Sequence, residues 1–339
     1  MPHQVTIKPS NHGFTVHDDE TILEAALREG FVIAYGCRNG ACGTCKGRIL
    51  GGTVDYGKYQ EHALPDAEKR AGLALFCQAR ALSDLTIECR EIGAVRDIQI
   101  RTLPCRVQKM EKVGPEVMVL HLKLPANERL QFLAGQYIDI LMKDGKRRSL
   151  SMANPPHDDA FLQLHLRNYG GPLSNYVFSG MKEKEVLRFE GPLGTFFLRE
   201  DSQKPIILLA SGTGFAPIKA IIEHAIYKEI KRSLTLYWGA RVRSDLYMNE
   251  LAARWERDHG IKYVPVLSEA LPSDHWTGRT GLVHRAVMDD FPDLSGYQVY
   301  ACGAPVMVEA AHKDFTSQRG LPEDEFFSDA FTPAVPASS

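Results

Sequence analysis

The sequence predicts a multidomain chain with three fold classes in succession. Residues 1–92 read as an α+β domain, 101–200 as an all-β antiparallel barrel, and 201–331 as an α/β domain with a doubly wound parallel sheet. Three observations carry this reading. Four cysteines, Cys37, Cys42, Cys45 and Cys77, fall in the first stretch. The middle stretch breaks into short β-type runs between turn signals. The last alternates apolar runs with helix-period segments, the pattern of parallel strands joined by crossover helices.

Composition sets the outer bounds. A chain of 339 residues has room for two or three domains. Apolar residues make up 44% of it, enough for ordinary packed cores. The formal net charge is −2, which offers no basic field for nucleic acid or an anionic membrane. No apolar run approaches about 18 residues, so no membrane span is expected. The opening Met1-Pro2-His3-Gln4-Val5 lacks the basic and apolar segments of a signal peptide. A cytoplasmic location is expected, where thiols stay reduced. No internal repeat is evident, and the tail Thr332 to Ser339 is expected to fray.

In the first domain, Val5 and Ile7 alternate with polar neighbours, Asn11-His12-Gly13 can turn, and Phe14 and Val16 alternate again. This predicts a hairpin. Thr21 to Glu29 carries Ile22, Leu23, Ala26 and Leu27 at helical spacing, with Asp18 or Asp19 as cap and Gly30 as stop.

The run from Cys37 to Cys45 is C-x₄-C-x₂-C, and 31 residues separate Cys45 from Cys77. This is the plant-type spacing for a [2Fe–2S] cluster, and it makes Cys37, Cys42, Cys45 and Cys77 the metal ligands. Each iron takes two thiolates, and a tight loop can supply three of the four. The small residues Gly36, Gly40, Ala41 and Gly43 let backbone N–H groups approach sulfur. Zinc is the alternative, but zinc knuckles come as two paired units, and only one C-x₂-C is present. A plant-type cluster moves one electron at a time near roughly −400 mV. Of the remaining cysteines, Cys89 and Cys105 read as buried small hydrophobes. Residues 1–92 resemble a plant-type ferredoxin domain, which implies a β-grasp fold. Glu91 to Asp97 then reads as a linker.

The middle domain shows β-type runs at Cys105 to Gln108, Val117 to Leu124 and Tyr137 to Met142. Within it stand Arg147-Arg148-Ser149-Leu150-Ser151 and Gly170-Gly171-Pro172-Leu173-Ser174. The first run offers a guanidinium and hydroxyls at a strand end. The second places glycines and a serine at a helix start, where free N–H groups bind anions. Alone, an Arg-Ser pair is commonly a solvated edge and Gly-Gly-Pro a turn. Together they resemble the R-x-[YF]-S and G-G-x-x-[ST] motifs of the ferredoxin–NADP reductase superfamily. The resemblance implies bound FAD, with Arg148 at the flavin phosphate, Ser149 and Leu150 along the flavin strand, Ser151 near flavin N5, and Gly171 and Ser174 at the pyrophosphate. Leu150 stands where the family carries an aromatic; it keeps apolar contact and loses ring stacking.

The last domain opens with the buried run Ile206 to Ala210, then Ser211-Gly212-Thr213-Gly214-Phe215-Ala216-Pro217, then a helix over Ile218 to Lys228. A strand, a glycine-rich turn and a helix start make a phosphate cradle from Gly212, Thr213, Gly214 and Pro217. Further strands are expected at Leu234 to Gly239, Tyr263 to Leu267 and Gln298 to Cys302. Helices are expected at Leu246 to His259, Leu282 to Asp289 and Pro305 to Gln318. The run Cys302-Gly303-Ala304-Pro305-Val306-Met307 resembles the family's C-G-x-P-x-M motif, which implies that Cys302, Gly303 and Pro305 border the nicotinamide. Cys302 is not read as a thiolate nucleophile, since no base is evident nearby. In the superfamily a carboxyl-terminal aromatic segment covers the flavin, and Phe327 is the candidate.

Arg241 and Arg243 could hold a 2′-phosphate, and Asp245 a ribose diol. Resemblance to oxygenase reductases favours NADH, with NADPH open. The whole chain resembles single-chain reductases with an amino-terminal ferredoxin domain, among them phenol hydroxylase and benzoate dioxygenase reductases and CDP-6-deoxy-glucoseen reductase-like proteins. The expected activity is an NAD(P)H-dependent oxidoreductase passing electrons through FAD and [2Fe–2S] to an acceptor protein. Ser151 and Cys302 are the expected catalytic residues. The acceptor is expected to be an oxygenase or hydroxylase, or a deoxysugar dehydratase component. A sensing module that does not turn over is a different class, and the complete nucleotide motifs argue against it.

Overall fold

Strand β1 (His3–Lys8) buries Val5 and Ile7 and pairs with β2 (Gly13–Val16), giving the expected hairpin with Val5 opposite Phe14. The computed structural model that shows this describes residues 2–95 and 97–332, so the tail from 333 onward lies outside the described residues. Helix α1 (Ile22–Arg28) follows. Its cap is Thr21 rather than Asp18 or Asp19. The Thr21 hydroxyl accepts from the Glu24 N–H at 3.2 Å, and the Glu24 carboxylate accepts from the Thr21 N–H at 2.8 Å. This is a capping box, which satisfies two donors at once.

The rest of this first unit is β3 (Lys46–Gly51), β4 (Val54–Asp55), α2 (Asp66–Arg70), β5 (Leu73–Leu75), β6 (Arg80–Ala81) and β7 (Leu85–Glu88). Its main sheet runs β2-β1-β7-β3-β5, with β1 and β7 parallel and the other pairs antiparallel. Helix α1 packs on it and seals a core of Ile7, Ile22, Leu23, Phe76 and Ile87, giving the β-grasp arrangement. The segment read as a linker is ordered where described. Ile92 is buried and donates its N–H to the Val32 carbonyl at 2.7 Å, and Gly93–Val95 make a 3₁₀ turn.

The second unit spans Ile100–Phe331. It begins with β8 (Arg101–Gly114), β9 (Val117–Lys123), β10 (Tyr137–Leu141), β11 (Arg147–Ser151), β12 (Leu162–Arg167), α3 (Pro172–Ser179) and β13 (Val186–Leu193). The strand order is β11-β10-β13-β8-β9-β12, antiparallel throughout. A bridge between Met152 and Leu164 joins the two ends and closes the barrel.

The remaining elements are β14 (Ile206–Ser211), α4 (Phe215–Tyr227), β15 (Leu234–Ala240), α5 (Asn249–His259), β16 (Lys262–Leu267), β17 (Arg279–Thr280), α6 (Val283–Asp290), β18 (Gln298–Gly303), α7 (Pro305–Arg319) and β19 (Phe326–Ala330). All six strands are parallel, in the order β17-β16-β15-β14-β18-β19. The chain steps outward from β14 to β17, then returns to β18 on the other side of β14. Order reverses between β14 and β18, so the ligand crevice of such a sheet opens at their carboxyl ends. Strand β19 is a sixth strand that the sequence reading leaves without an element. Barrel and sheet share one core, where Ala134, Phe196 and Leu198 pack with Ile218, Trp238 and Tyr300.

Candidate functional site

The loop after Tyr35 supplies three free thiols and the turn after β5 the fourth. Cys37 and Cys42 are hydrogen-bond partners, as are Cys45 and Cys77. The hydrogen bond with Cys42 lowers the Cys37 thiol to about 6, helped by the N–H groups of Asn39, Ala41 and Cys42. The bond with Cys45 likewise lowers Cys77, helped by the Gly40 N–H. Cys42 and Cys45 are correspondingly raised, and burial adds to this. The Cys37 N–H points at Cys42 Sγ across 3.4 Å, Thr44 Oγ1 lies 3.3 Å from the same sulfur, and Gln78 Nε2 lies 3.9 Å from Cys77 Sγ. Among the described residues no group of three His, Cys, Asp or Glu is placed around a single metal ion. Two thiols with two thiols suits a pair of irons, and N–H groups aimed at sulfur are the donors such a cluster requires. The residues present fit a [2Fe–2S] cluster.

Strand β11 carries the expected flavin residues, and its alternation sorts them. Arg148 and Leu150 share one face, both half-buried; Arg148 donates to the Arg147 carbonyl at 2.7 Å. Ser149 and Ser151 take the other face, and Ser149 donates to Asp139 Oδ1 at 2.6 Å. Gly171 is the N-cap of α3, whose start has no side-chain cap. Ser174 is buried there, with its hydroxyl on the Gly171 carbonyl at 3.0 Å. An uncapped helix start fits a phosphate, and an arginine is a residue type suited to the same ligand.

At the crevice between β14 and β18, Gly212–Gly214 form a 3₁₀ turn that leads into α4, and this helix also lacks a side-chain cap. Trp238 Nε1 donates to the Gly212 carbonyl at 3.1 Å and fixes the turn from below. Pro217 is the third residue of α4, where its missing N–H would have no intrahelical acceptor. Helix α4 therefore starts at Phe215, three residues before the expected Ile218. Pro305 is the first residue of α7, a position that suits proline. Gly214 and Gly303 let the two strand ends approach. A Cβ on Gly214 would lie 2.2 Å from the Cys302 carbonyl oxygen. One on Gly303, whose φ is +130°, would lie 2.3 Å from Ser211 Oγ.

The expected catalytic pair meets through a residue the sequence reading missed. Ser151, buried at the end of β11, donates to Asp329 Oδ2 at 3.3 Å. Asp329 lies opposite Cys302 in the β18–β19 register. Burial, reinforced by Asp329, holds the Cys302 thiol well above its ordinary range, so it stays protonated. A buried acid inside the apolar run Phe326 to Phe331 was the available signal.

Phe327 is a correction. It is buried, stacked on Tyr300 with centroids 4.8 Å apart and lying under the Arg199 guanidinium, so it belongs to the core. Alternation along β19 places the next same-face positions at Asp329 and Phe331. Phe331 is half-buried at the strand's carboxyl end and donates its N–H to the Gly303 carbonyl at 2.8 Å. The aromatic beside the crevice is Phe331.

Arg241 follows β15 and faces two carboxylates. It lies 3.6 Å from both Glu116 and Asp245. Arg167, nearly buried, donates to Glu116 at 2.8 Å and to Asp245 at 2.9 Å. Nothing in the sequence pattern pointed to Glu116.

A thiol-lined loop, an arginine-bearing barrel strand and a glycine turn at the switch point define an oxidoreductase that carries an iron–sulfur cluster, a flavin and a nicotinamide nucleotide. Family models match in the same order: a 2Fe-2S iron-sulfur cluster binding domain at residues 5–82, an oxidoreductase FAD-binding domain at 104–198, and an oxidoreductase NAD-binding domain at 208–313. The chain is 42% identical to the CDP-6-deoxy-L-threo-D-glycero-4-hexulose-3-dehydrase reductase of Yersinia pseudotuberculosis, over 98% of this chain and 100% of that one. It is 33% identical to the reductase component DmpP of phenol 2-monooxygenase from Pseudomonas, over 98% and 96%. The crystal structure of the Amycolatopsis cytochrome P450 reductase GcoB superimposes with a TM-score of 0.79 at 33% identity, covering 98% of this chain and 100% of that one. The chain belongs to the ferredoxin–NADP reductase superfamily, among the iron–sulfur flavoprotein reductases with an amino-terminal ferredoxin domain.

Proposed function

We propose that this chain is the reductase component of a two-protein redox system, drawing electrons from NADH and delivering them singly to an acceptor protein. Three working modules support the division of labour: residues 1–92 for the cluster, 101–200 for FAD, and 201–331 for the nucleotide. When bound, FAD takes the two electrons of a hydride and releases them one at a time to a one-electron cluster. The chain's own residues position and protect. Cys37, Cys42, Cys45 and Cys77 hold the irons. Arg148 and the α3 start, with Gly171 and Ser174, hold the flavin's phosphates. Gly212, Thr213 and Gly214 cradle the dinucleotide. Ser151 presents a hydroxyl to the reacting edge of the flavin, oriented by Asp329. Cys302 and Gly303 shape the pocket for the nicotinamide, the thiol acting as packing rather than as a nucleophile. Leu150 and Phe331 bracket the flavin plane. One observation carries the reading: Ser151, Asp329 and Cys302, from three distant segments, converge at the switch point.

The acceptor we favour is a dehydrase acting on a nucleotide-linked deoxy sugar, because full-length identity is 42% to a reductase of that class and 31–35% to oxygenase or demethylase reductases. An oxygenase is the second reading, supported by the structural match to GcoB. Iron–sulfur chemistry and reduced thiols suit a cytoplasmic setting. Anaerobic titration with NADH tests the core reading, with bleaching of flavin and cluster absorbance as the expected result. Reconstitution with a purified CDP-hexulose dehydrase and, separately, with a ring-hydroxylating oxygenase tests the acceptor. NADH consumption stimulated only by the oxygenase would remove the favoured reading.

A further inference from the structure

In a doubly wound sheet, the residues just past the second strand read the 2′ position of a bound dinucleotide. A carboxylate takes a ribose diol, and an arginine takes a 2′-phosphate. Here that place is Arg241, directly after β15. Its charge is already matched. Arg241 Nη2 lies 3.6 Å from Glu116 Oε2, and its Nε lies 3.6 Å from Asp245 Oδ2. Arg167 ties the two carboxylates together through its Nη2, 2.8 Å from Glu116 and 2.9 Å from Asp245. Two cations therefore face two anions. The group also borders the phosphate turn, since a Cβ built on Gly212 would lie 3.8 Å from Arg167 Nη1.

Two features of this cluster set the charge that a ligand meets. Asp245 is buried, and its Oδ2 accepts no hydrogen bond. The cation facing that oxygen is Arg241, whose Nε is 3.6 Å away, so the carboxylate's charge stays directed at that arginine. Glu116 comes from a different module, the turn between β8 and β9 of the barrel. Hydrogen bonding to Arg167 holds its carboxyl below the usual range, so it is ionised at neutral pH.

We propose that Glu116 makes this chain selective for NADH over NADPH. Arg241 is exposed but already flanked by the Glu116 and Asp245 carboxylates, which compete with a 2′-phosphate for its charge. Such a phosphate carries nearly two negative charges and would enter beside two carboxylates. A ribose diol is uncharged, and its hydroxyls can donate to a carboxylate. Glu116 acts through Arg241, so it is a specificity-positioning residue and not a catalytic one. The inference rests on reading residues 201–331 as the nicotinamide nucleotide site.

Glu116→Gln in the full-length holoprotein keeps the volume and removes the charge. The expected result is a rise of about tenfold in the ratio of kcat/KM for NADPH to that for NADH, mostly through a lower KM for NADPH. The gain disappears in the double variant Glu116→Gln/Arg241→Ala. A ratio within about twofold of the parent's, or a gain that survives loss of Arg241, overturns the proposal. A parent whose flavin is bleached by neither nucleotide overturns the site reading and the proposal with it. Bleaching of the parent with an unmoved ratio overturns the proposal alone.

Discussion

Ser151 Oγ and Asp329 Oδ2 lie 3.3 Å apart although 178 residues separate them. The bond joins the last residue of a barrel strand to the edge strand of the parallel sheet. It makes the two modules share one polar point at the switch between β14 and β18, with the Cys302 thiol across the ladder from Asp329. A serine anchored to a buried acid has one orientation for its hydroxyl, which a solvent-exposed serine lacks.

Ser151→Ala removes that oriented hydroxyl and leaves the nucleotide cradle of Gly212–Gly214 untouched. The flavin-reduction rate at saturating NADH should fall about five- to tenfold, the value of one lost hydrogen bond of about 1 kcal/mol. The dissociation constant of NADH should move less. Stopped-flow bleaching is the measurement, and rates equal to the parent's would count against the role.

Cys45→Ser removes one thiolate from the Cys45–Cys77 pair and with it half of an iron's protein ligands. NADH-driven reduction of cytochrome c should be lost. Oxidation of NADH by small oxidants that react with flavin should persist, because no residue of the second unit has changed. Undiminished cytochrome c reduction in purified, iron-analysed variant would contradict the route.

The fold class and the set of cofactors are legible in the sequence. The cysteine spacing names the cluster's ligands because thiolate chemistry tolerates few loop geometries. Gly212-Thr213-Gly214 is legible because a phosphate turn needs small residues at a strand end. What escaped is what tertiary structure alone creates. Asp329 reaches Ser151 only after β19 joins the sheet beside β18. Glu116 finds Arg241 only when a barrel turn meets the nucleotide domain. Phe327 reads as a flavin cover because composition does not reveal which aromatic of a run is packed in the core; the stacking of Phe327 on Tyr300 does. Asp18 and Asp19 read as caps from composition, but Thr21 caps the helix because its hydroxyl and the Glu24 carboxylate close a capping box.

The approach of β14 and β18 depends on Gly214. Its Cβ, if present, would lie 2.2 Å from the Cys302 carbonyl oxygen and 2.5 Å from the carbonyl carbon, both backbone atoms that cannot swing away. Gly214→Ala should therefore lower stability by about 1–3 kcal/mol and weaken NADH binding together. Gly296→Ala is the control, since nothing lies within 4 Å of its would-be Cβ. Urea midpoints and NADH titrations would show the contrast; equal midpoints for the two variants would refute the packing argument.

His165 gives the seam between barrel and nucleotide domain a pH dependence. It is buried, and its Nδ1 lies 2.9 Å from the Tyr247 hydroxyl. Burial first, and the Lys219 cation second, hold its pKa well below the ordinary 6.5, so the folded chain keeps it neutral. The unfolded chain protonates it below about 6.5. Unfolded molecules then bind more protons than folded ones, so stability is fully present above that pH and falls on acidification, by about 1.4 kcal/mol per pH unit from this one group. His121, His157 and His284 are lowered as well and add to the parent's slope. His165→Gln removes one of these groups and leaves an amide to meet Tyr247. Unfolding free energies of parent and variant between pH 5 and 8 should therefore diverge in slope below about 6.5, with the variant flatter. Parallel curves would mean that His165 is protonated in the folded protein and that the seam admits charge.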